Sequence, residues 1–365
     1  MIEFHSSPNP TIGVEIELQL IDDNTLDLKN ISSKVLADID KKFCNRMKYE
    51  LFESMIEINT DICSTIEEVE GDIKQTLRHL EEVLKNYNAS INCSSLHPFA
   101  RGKNQIISND SRYKRIMNDL QIIGTRFITQ GLHVHIGIDE CEKVIKVNNA
   151  LRIYLPLLLA LSTSSPFYEG EDTGLYSYRT KIFESLPLAG MPDYLNNWDH
   201  FTNITENLIK ANVIRSVKDL WWEVRPHPGF GTVEIRICDI PVNLIQILAL
   251  VALMQALVVT IQNLDKYPDT HIQILESNKW QAVRYGLEGT FIDPLTLKQL
   301  PIKKAIEDLC NLIEPVMVSL GSAKYVRVIE EILIHGTGAS QKRDIFKKSG
   351  KFEYMIKSMK ERFYQ

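Results

Sequence analysis

At 365 residues, with 44% hydrophobic and 24% charged residues, the chain is large and apolar enough to build a substantial core and too apolar to be disordered. Lys and Arg total 41 against 47 Asp and Glu, a formal net charge of -6, so no basic excess exists to neutralise a nucleic-acid backbone or to hold a membrane surface. The six cysteines show no CxxC pair or zinc-ligand spacing, and the start MIEFHSSPNPT lacks the basic-then-apolar order of a secretory signal. Reduced thiols and a cytoplasmic location are expected.

In chain order, the first element is a strand in TIGVEIELQLI. Period-two alternation puts Val14, Ile16, Leu18 and Leu20 on one face and Glu15, Glu17 and Gln19 on the other. A second strand follows in LFESMIEIN, with Phe52, Ile56 and Ile58 opposed to Glu53, Met55 and Glu57. Thr65 and Glu68 then form a capping box that opens a helix whose apolar stripe runs through Ile66, Val69, Ile73, Leu77, Leu80 and Leu84. A helix is predicted over residues 111–127. The strand GLHVHIGI next opposes Leu132, Val134, Ile136 and Ile138 to His133, His135 and Gly137.

A helix over residues 144–161 precedes a fourth alternating strand, TVEIRICD, where Val233, Ile235 and Ile237 oppose Thr232, Glu234, Arg236 and Cys238. Residues 244–261 (LIQILALVALMQALVVTI) are nearly long enough to cross a bilayer. Gln246 and Gln255 interrupt the run and no basic flank follows, so it reads as a buried central helix. Helices are predicted over residues 302–320, 323–334 and from 342 onward. HGTGAS, around Gly336 and Gly338, reads either as a ligand loop or as a helix-terminating turn. Trp221, Trp222 and Trp280 read as core residues. No repeat, low-complexity tract or linker divides the chain, so a single domain over residues 1–365 is expected, helical from about residue 300. Helices on the apolar face of a mostly antiparallel sheet give an α+β fold whose acidic face is an open, concave floor.

That acidic face is unusual. Ordinary half-buried strands place Thr, Ser, Lys and Gln toward water; here the polar face carries Glu15, Glu17, Glu53, Glu57, His133, His135 and Glu234. Gathered carboxylates repel one another unless cations neutralise them, and oxygen ligands with an occasional imidazole suit Mg²⁺ or Mn²⁺. Such metals would bridge nucleotide phosphates, with Arg225 and Arg236 offsetting charge on a phosphoryl group in transit. No GxxxxGK[ST] loop is present, so phosphates would be held by metals and arginines on the sheet. Each piece also has a plain reading: an ExE pair is commonly a solvated face, and Glu234 and Arg236 could be an ion pair. The joint pattern favours a site.

TIGVEIELQLID, ESMIEINTDIC, LHPF, GLHVHIGI, ALSTSSPF, RPHPGFGTVEIRICD and WQAVRYGLEG, in that order, resemble the YbdK-like carboxylate-amine ligases of the glutamate–cysteine ligase type 2 family. The resemblance implies the fold of glutamine synthetase and the guanidino kinases. It also implies metal-facing Glu15, Glu17, Glu53, Glu57, His133 and Glu234, a phosphate-facing Arg236, and His135 near the phosphates or substrate. RYGLEG, from Arg284 to Gly289, reads either as pocket lining, with Arg284 a candidate binding residue, or as an ordinary turn with Arg284 solvated. Where many relatives carry a further acidic residue, this chain has Ile16, which alternation places in the core.

The reaction so implied is the ATP-dependent joining of a carboxylate to an amine through an acyl phosphate, with glutamate and cysteine as the expected pair. A guanidino-kinase-type phosphotransferase on the same scaffold is the alternative, set apart by needing no second substrate. The expected partners are small molecules, with neither nucleic acid nor membrane. A homodimer is expected from apolar helices in excess of what one sheet needs.

Overall fold

A computed structural model describes residues 2–364. Its main sheet has seven strands, β1 (Ile12–Asp22), β2 (Met47–Tyr49), β3 (Met55–Asn59), β4 (Ala89–Asn92), β5 (Leu132–Gly137), β8 (Val224–His227) and β9 (Thr232–Ile235). Between them, β6 (Phe167–Tyr168) and β7 (Glu171–Asp172) form a small hairpin, as do β10 (Thr290–Ile292) and β11 (Gln299–Pro301) later on. The strand order is β2-β3-β1-β5-β9-β8, with β4 beside the far end of β1, and every pairing is antiparallel.

Each long strand reads as the alternation foretells. Val14, Ile16, Leu18 and Leu20 are buried in the main core with Val134, Ile136, Val233 and Ile235. Ile16, 1% exposed, faces that core, away from the acidic side chains. Against this apolar face pack α2 (Ile66–Lys85), α4 (Cys141–Ser162) and α7 (Leu244–Asn263). The α7 helix also meets α9 (Ile302–Ser319) and α10 (Lys324–His335). The two helices long and apolar enough to cross a membrane, α4 and α7, have 89% and 83% of their most apolar windows buried in the fold.

Local signals explain several boundaries. Thr65 Oγ1 accepts from Glu68 N at 3.2 Å, while the returning Glu68 carboxylate takes the Ser64 N–H at 2.6 Å, one residue before the cap. The helix predicted over 111–127 ends earlier, as α3 (Ser111–Leu120), because Gln121 has φ of 50° and a 3-10 turn follows over Gly124–Arg126. HGTGAS is a helix-terminating turn. Gly336, with φ of 81°, ends α10, and α11 (Gly338–Ser349) starts two residues on, leading to α12 (Phe352–Arg362).

His97 of LHPF is fully buried, with Nε2 on the Leu26 carbonyl at 2.8 Å and Nδ1 accepting the Ala100 N–H at 3.0 Å. Both ring nitrogens are committed to the neutral form, and burial pushes the imidazole down to about 4 from 6.5. The unfolded chain therefore takes up this proton first, so stability is full above pH 6.5 and falls as pH drops toward 4. The 2.5-unit interval corresponds to roughly 3 kcal/mol at most. Denaturant titrations across that range should show a shallower pH slope in His97→Gln than in wild type, His133 and His227 keeping their share; equal slopes would discount His97.

Candidate active site

The sheet register assembles the polar face. Glu17 lies opposite Glu57 across β1 and β3, and Glu15 lies opposite His133 across β1 and β5. His135 and Arg225 then flank Glu234 from β5 and β8. Opposed residues on one face of an antiparallel pair sit about 5 Å apart, so the register alone brings these side chains within reach of one another. They line a cavity of about 400 Å³.

Two groups of ligand atoms stand out, each with all members within 4.8 Å of one another: Glu15, His133 and Glu234, and Glu17, Glu50 and Glu57. Their electrostatics differ. In the first group, burial raises Glu15 and Glu234, but other groups outweigh it. Hydrogen bonding to His133 and His135 brings Glu15 well below the usual carboxylate range, and the Arg225 and Arg236 charges do the same for Glu234. Burial, then the Arg236 charge, pushes His133 down to about 4, leaving a neutral imidazole with a lone pair to offer a metal.

In the second group nothing compensates enough. Burial and then repulsion raise Glu50 well above the usual range, with Glu57 and Glu17 as the repelling neighbours. Glu57 rises through burial and the Glu15 charge, while burial raises Glu17 in spite of Arg179. Three carboxylates that cannot all ionise comfortably are a donor set suited to a hard divalent cation.

Above these groups, Arg236 donates to Glu234, and its buried Nε has no partner among the described residues. A buried, orphaned donor on a side chain that lines a cavity calls for an explanation, and an anionic ligand supplies one. His135 donates or accepts through Nδ1 at Thr232 Oγ1, 2.9 Å away, which turns Nε2 toward Glu15 at 3.7 Å and Glu234 at 3.9 Å.

Three expected residues do other work. Glu53 does not line the cavity: the chain turns at residues 52–55, where Met55 N bonds the Phe52 carbonyl, and parity is lost upstream of the strand. Its carboxylate instead accepts from Ser32 Oγ, Ser33 N and Ser33 Oγ at the start of α1 (Ser32–Ala37). Glu53→Ala should therefore cost about 1 kcal/mol, the scale of a lost helix cap, while leaving turnover near wild type; a melting curve beside an activity assay checks both.

Arg284 lies outside the cavity, on α8 (Ile272–Tyr285), where it donates to the Gly174 carbonyl at 2.5 Å and sits against the Tyr285 ring. Arg225 borders the cavity but is consumed by protein. Its Nε meets Glu234 at 2.6 Å, and Nη1 meets the carbonyls of Val217, Lys218 and Leu220. It holds Glu234 rather than offering a free fork to a phosphate.

Some site residues were not visible in the alternation. Glu50 follows β2, a three-residue strand with no alternation to reveal it, on the same parity as Lys48, which faces Glu57. Arg179 comes from the short helix α5 (Tyr178–Phe183), which has no periodic signal. Of the tryptophans, Trp221 lines the cavity and Trp280 is 45% exposed, so neither is core.

Comparisons with known proteins fit this geometry. The glutamate-cysteine ligase family 2 matches residues 11–361. A protein of Gloeobacter violaceus, provisionally named glutamate–cysteine ligase 2, is 39% identical over 359 residues, covering 95% of both chains. One from Solibacter usitatus with the same provisional name is 36% identical over 361 residues, covering 96% of this chain and 93% of that one. Among solved structures, the glutamate–cysteine ligase of Francisella tularensis in complex with AMP superposes with a TM-score of 0.76 at 13% identity, covering 98% of this chain and 89% of that one. The bifunctional glutathione synthetase of Pasteurella multocida gives 0.69 at 12% identity, covering 96% of this chain and 51% of that one. At such identities the likeness is one of fold, and the fold is the one these two ligases share.

Proposed function

The chain belongs to glutamate-cysteine ligase family 2, a family of ATP-dependent amino-acid ligases, and from that premise we propose that it joins the γ-carboxylate of glutamate to the amine of cysteine. The observation that carries the reading is the pair of ligand groups side by side in one cavity, with the orphaned Arg236 Nε beside them.

The residues fit two divalent cations, Mg²⁺ or Mn²⁺. Glu15, His133 and Glu234 would hold one; Glu17, Glu50 and Glu57 would hold the other. Bound there, the ions would supply neutralising charge for phosphate and carboxylate oxygens. ATP as the nucleotide is also supported by the AMP in the Francisella tularensis structure.

In the reaction, a carboxylate oxygen of the acid attacks the γ-phosphorus of ATP, the bond to the β-phosphate oxygen breaks, and ADP leaves. The resulting acyl phosphate is attacked at carbon by the amine, which loses a proton as inorganic phosphate departs. Arg236 donates to the phosphoryl oxygens as charge gathers on them. Glu234 holds Arg236, and Arg225 holds Glu234. Thr232 fixes the orientation of the His135 ring at the edge of the same group. No covalent enzyme intermediate is required.

Purified protein with ATP and Mg²⁺ should release ADP and form a product of γ-glutamylcysteine mass only when glutamate and cysteine are both present, as read by mass spectrometry. Failure to turn over ATP with any acid–amine pair would contradict the ligase reading. ADP formation with a phosphorylated nitrogen product and no second substrate would redirect it to phosphotransfer.

A further inference from the structure

Among the guanidinium groups lining the cavity is Arg179, to which the reaction above gives no task. Arg179 is 4% exposed and lines the cavity between Glu17 and Arg236. Its Nη1 donates to the Ile237 carbonyl at 3.1 Å and its Nη2 to the Arg236 carbonyl at 3.3 Å. Its Nε is buried without a partner among the described residues. A guanidinium has five N–H donors, so these two bonds leave much of the fork unused in a polar cavity.

The plain alternative makes Arg179 the counter-ion of the fully buried Asp239. That ion pair exists, yet it does not use up the guanidinium's donors. Arg179 Nη1 is 4.0 Å from Asp239 Oδ1, beyond hydrogen-bond reach. The Asp239 carboxylate is already met by Ser164 N at 2.8 Å, Ser165 Oγ at 2.7 Å and Ser177 Oγ at 2.8 Å. Its role is to tie down the segment that carries Arg179. Ser177 is the N-cap of α5, and Ser165 Oγ accepts the Arg179 N–H at 3.2 Å. From the other side, Lys342 of α11 donates to the Ser164 carbonyl at 2.6 Å, gripping the same peptide segment.

The surroundings are also shaped for the side chain. A Cβ on Gly131 would lie 2.3 Å from Arg179 Nη2, closer than real contacts permit. The chain thus keeps a residue without a side chain where the guanidinium passes.

We propose that Arg179 is a further anion-binding residue of the transfer site, contacting an oxygen of the phosphoryl group or of the acid substrate, and that Asp239 is the positioning residue that aims it. The assignment rests on the ligase reading for the identity of the anion, though not for the existence of the anion site. Arg179 and Arg236 then approach the ligand from neighbouring backbone, linked through the Arg236 carbonyl.

The test is initial-rate kinetics of Arg179→Met, Arg179→Lys, Asp239→Asn and Ser177→Ala, with ATP and glutamate varied, beside calorimetric binding of ATP with Mg²⁺ and of glutamate. Arg179→Met should lower kcat/KM about a hundredfold, the scale of one lost oxyanion donor. Arg179→Lys should recover only part of this, since an ammonium cannot reproduce a planar fork. A raised KM for glutamate with kcat kept assigns the anion to the acid; a lowered kcat with KM kept assigns it to the phosphoryl group. Ser177→Ala removes one tether and should fall between wild type and Arg179→Met in kcat/KM while melting only slightly lower, as the loss of one helix cap requires, which keeps the test valid if Asp239→Asn does not fold. Arg179→Met with wild-type kcat and KM would overturn the proposal. A wild type inert toward every acid–amine pair would end the ligase reading alone. Arg179 would then be judged by calorimetry, where weaker binding of ATP or glutamate to Arg179→Met supports the anion site and unchanged binding of both overturns it.

Discussion

Glu57→Gln is expected to lower ATP turnover roughly a hundredfold or more, several kcal/mol of lost transition-state stabilisation, with little change in melting temperature. Glu57 lies opposite Glu17 in the sheet register and shares a ligand group with Glu17 and Glu50. Its carboxyl is raised by burial and by the Glu15 charge. An amide relieves that repulsion, so the protein without metal should be no less stable, while a ligand for a divalent cation is lost. Stability and activity should therefore part company at this position. Glu15→Gln should lose activity to a similar extent, and Glu53→Gln, whose side chain caps α1 outside the cavity, is the control. Equal activity in all three would show that neither group binds the catalytic ions. Gln19 is a poorer control, despite sitting two residues from Glu17, because it is fully buried and bonded to Ser94, Gln130 and Asn92.

Gly131→Ala is the second large effect expected. The added Cβ would lie 2.3 Å from Arg179 Nη2 and 2.9 Å from His133 Nε2, and the same residue donates its N–H to Glu17 at 2.6 Å. One methyl group thus presses on His133, a proposed ligand of the first group, and on Arg179, from a residue whose backbone also holds Glu17 of the second group. Overpacking of this kind costs about 1–3 kcal/mol, which a fold of this size tolerates. Misplacement of reacting groups by an ångström can cost about a hundredfold in rate, so turnover should fall by at least that much. Circular-dichroism melting and ADP-release kinetics on the same preparation separate the two effects. Turnover near wild type would mean that Arg179 and His133 need not hold their positions.

The sheet and much of its site were legible because both follow from parity. Once a strand buries Val14, Ile16 and Leu18, Glu15 and Glu17 have only one face to occupy. The same reasoning placed His133, His135 and Glu234. It failed at Glu53 for a physical reason: parity survives only where the backbone stays extended, and the hydrogen-bonded turn at residues 52–55 breaks it. It could not foresee that Arg225 spends its donors on Glu234 and three carbonyls, because partners from the loop over residues 217–220 are set by tertiary packing. Glu50 and Arg179 escaped because one follows a three-residue strand and the other sits in a six-residue helix, both too short to show a period. Helices α6 (Trp198–Lys210) and α8 were missed as well, since their buried stripes carry polar residues such as Thr202, Thr205 and Asn278. The central helix was read correctly because two glutamines in an apolar run favour a protein interior; Gln255 Nε2 indeed donates to the Pro10 carbonyl at 2.7 Å.

The most direct test of the two-cation site is a crystal structure grown with Mn²⁺ and a non-hydrolysable ATP analogue, with anomalous scattering measured at the manganese edge. Two peaks are expected, one among Glu15, His133 and Glu234 and one among Glu17, Glu50 and Glu57, with the analogue's terminal phosphate beside Arg236. Peaks elsewhere, or a nucleotide bound away from this cavity, would contradict the account.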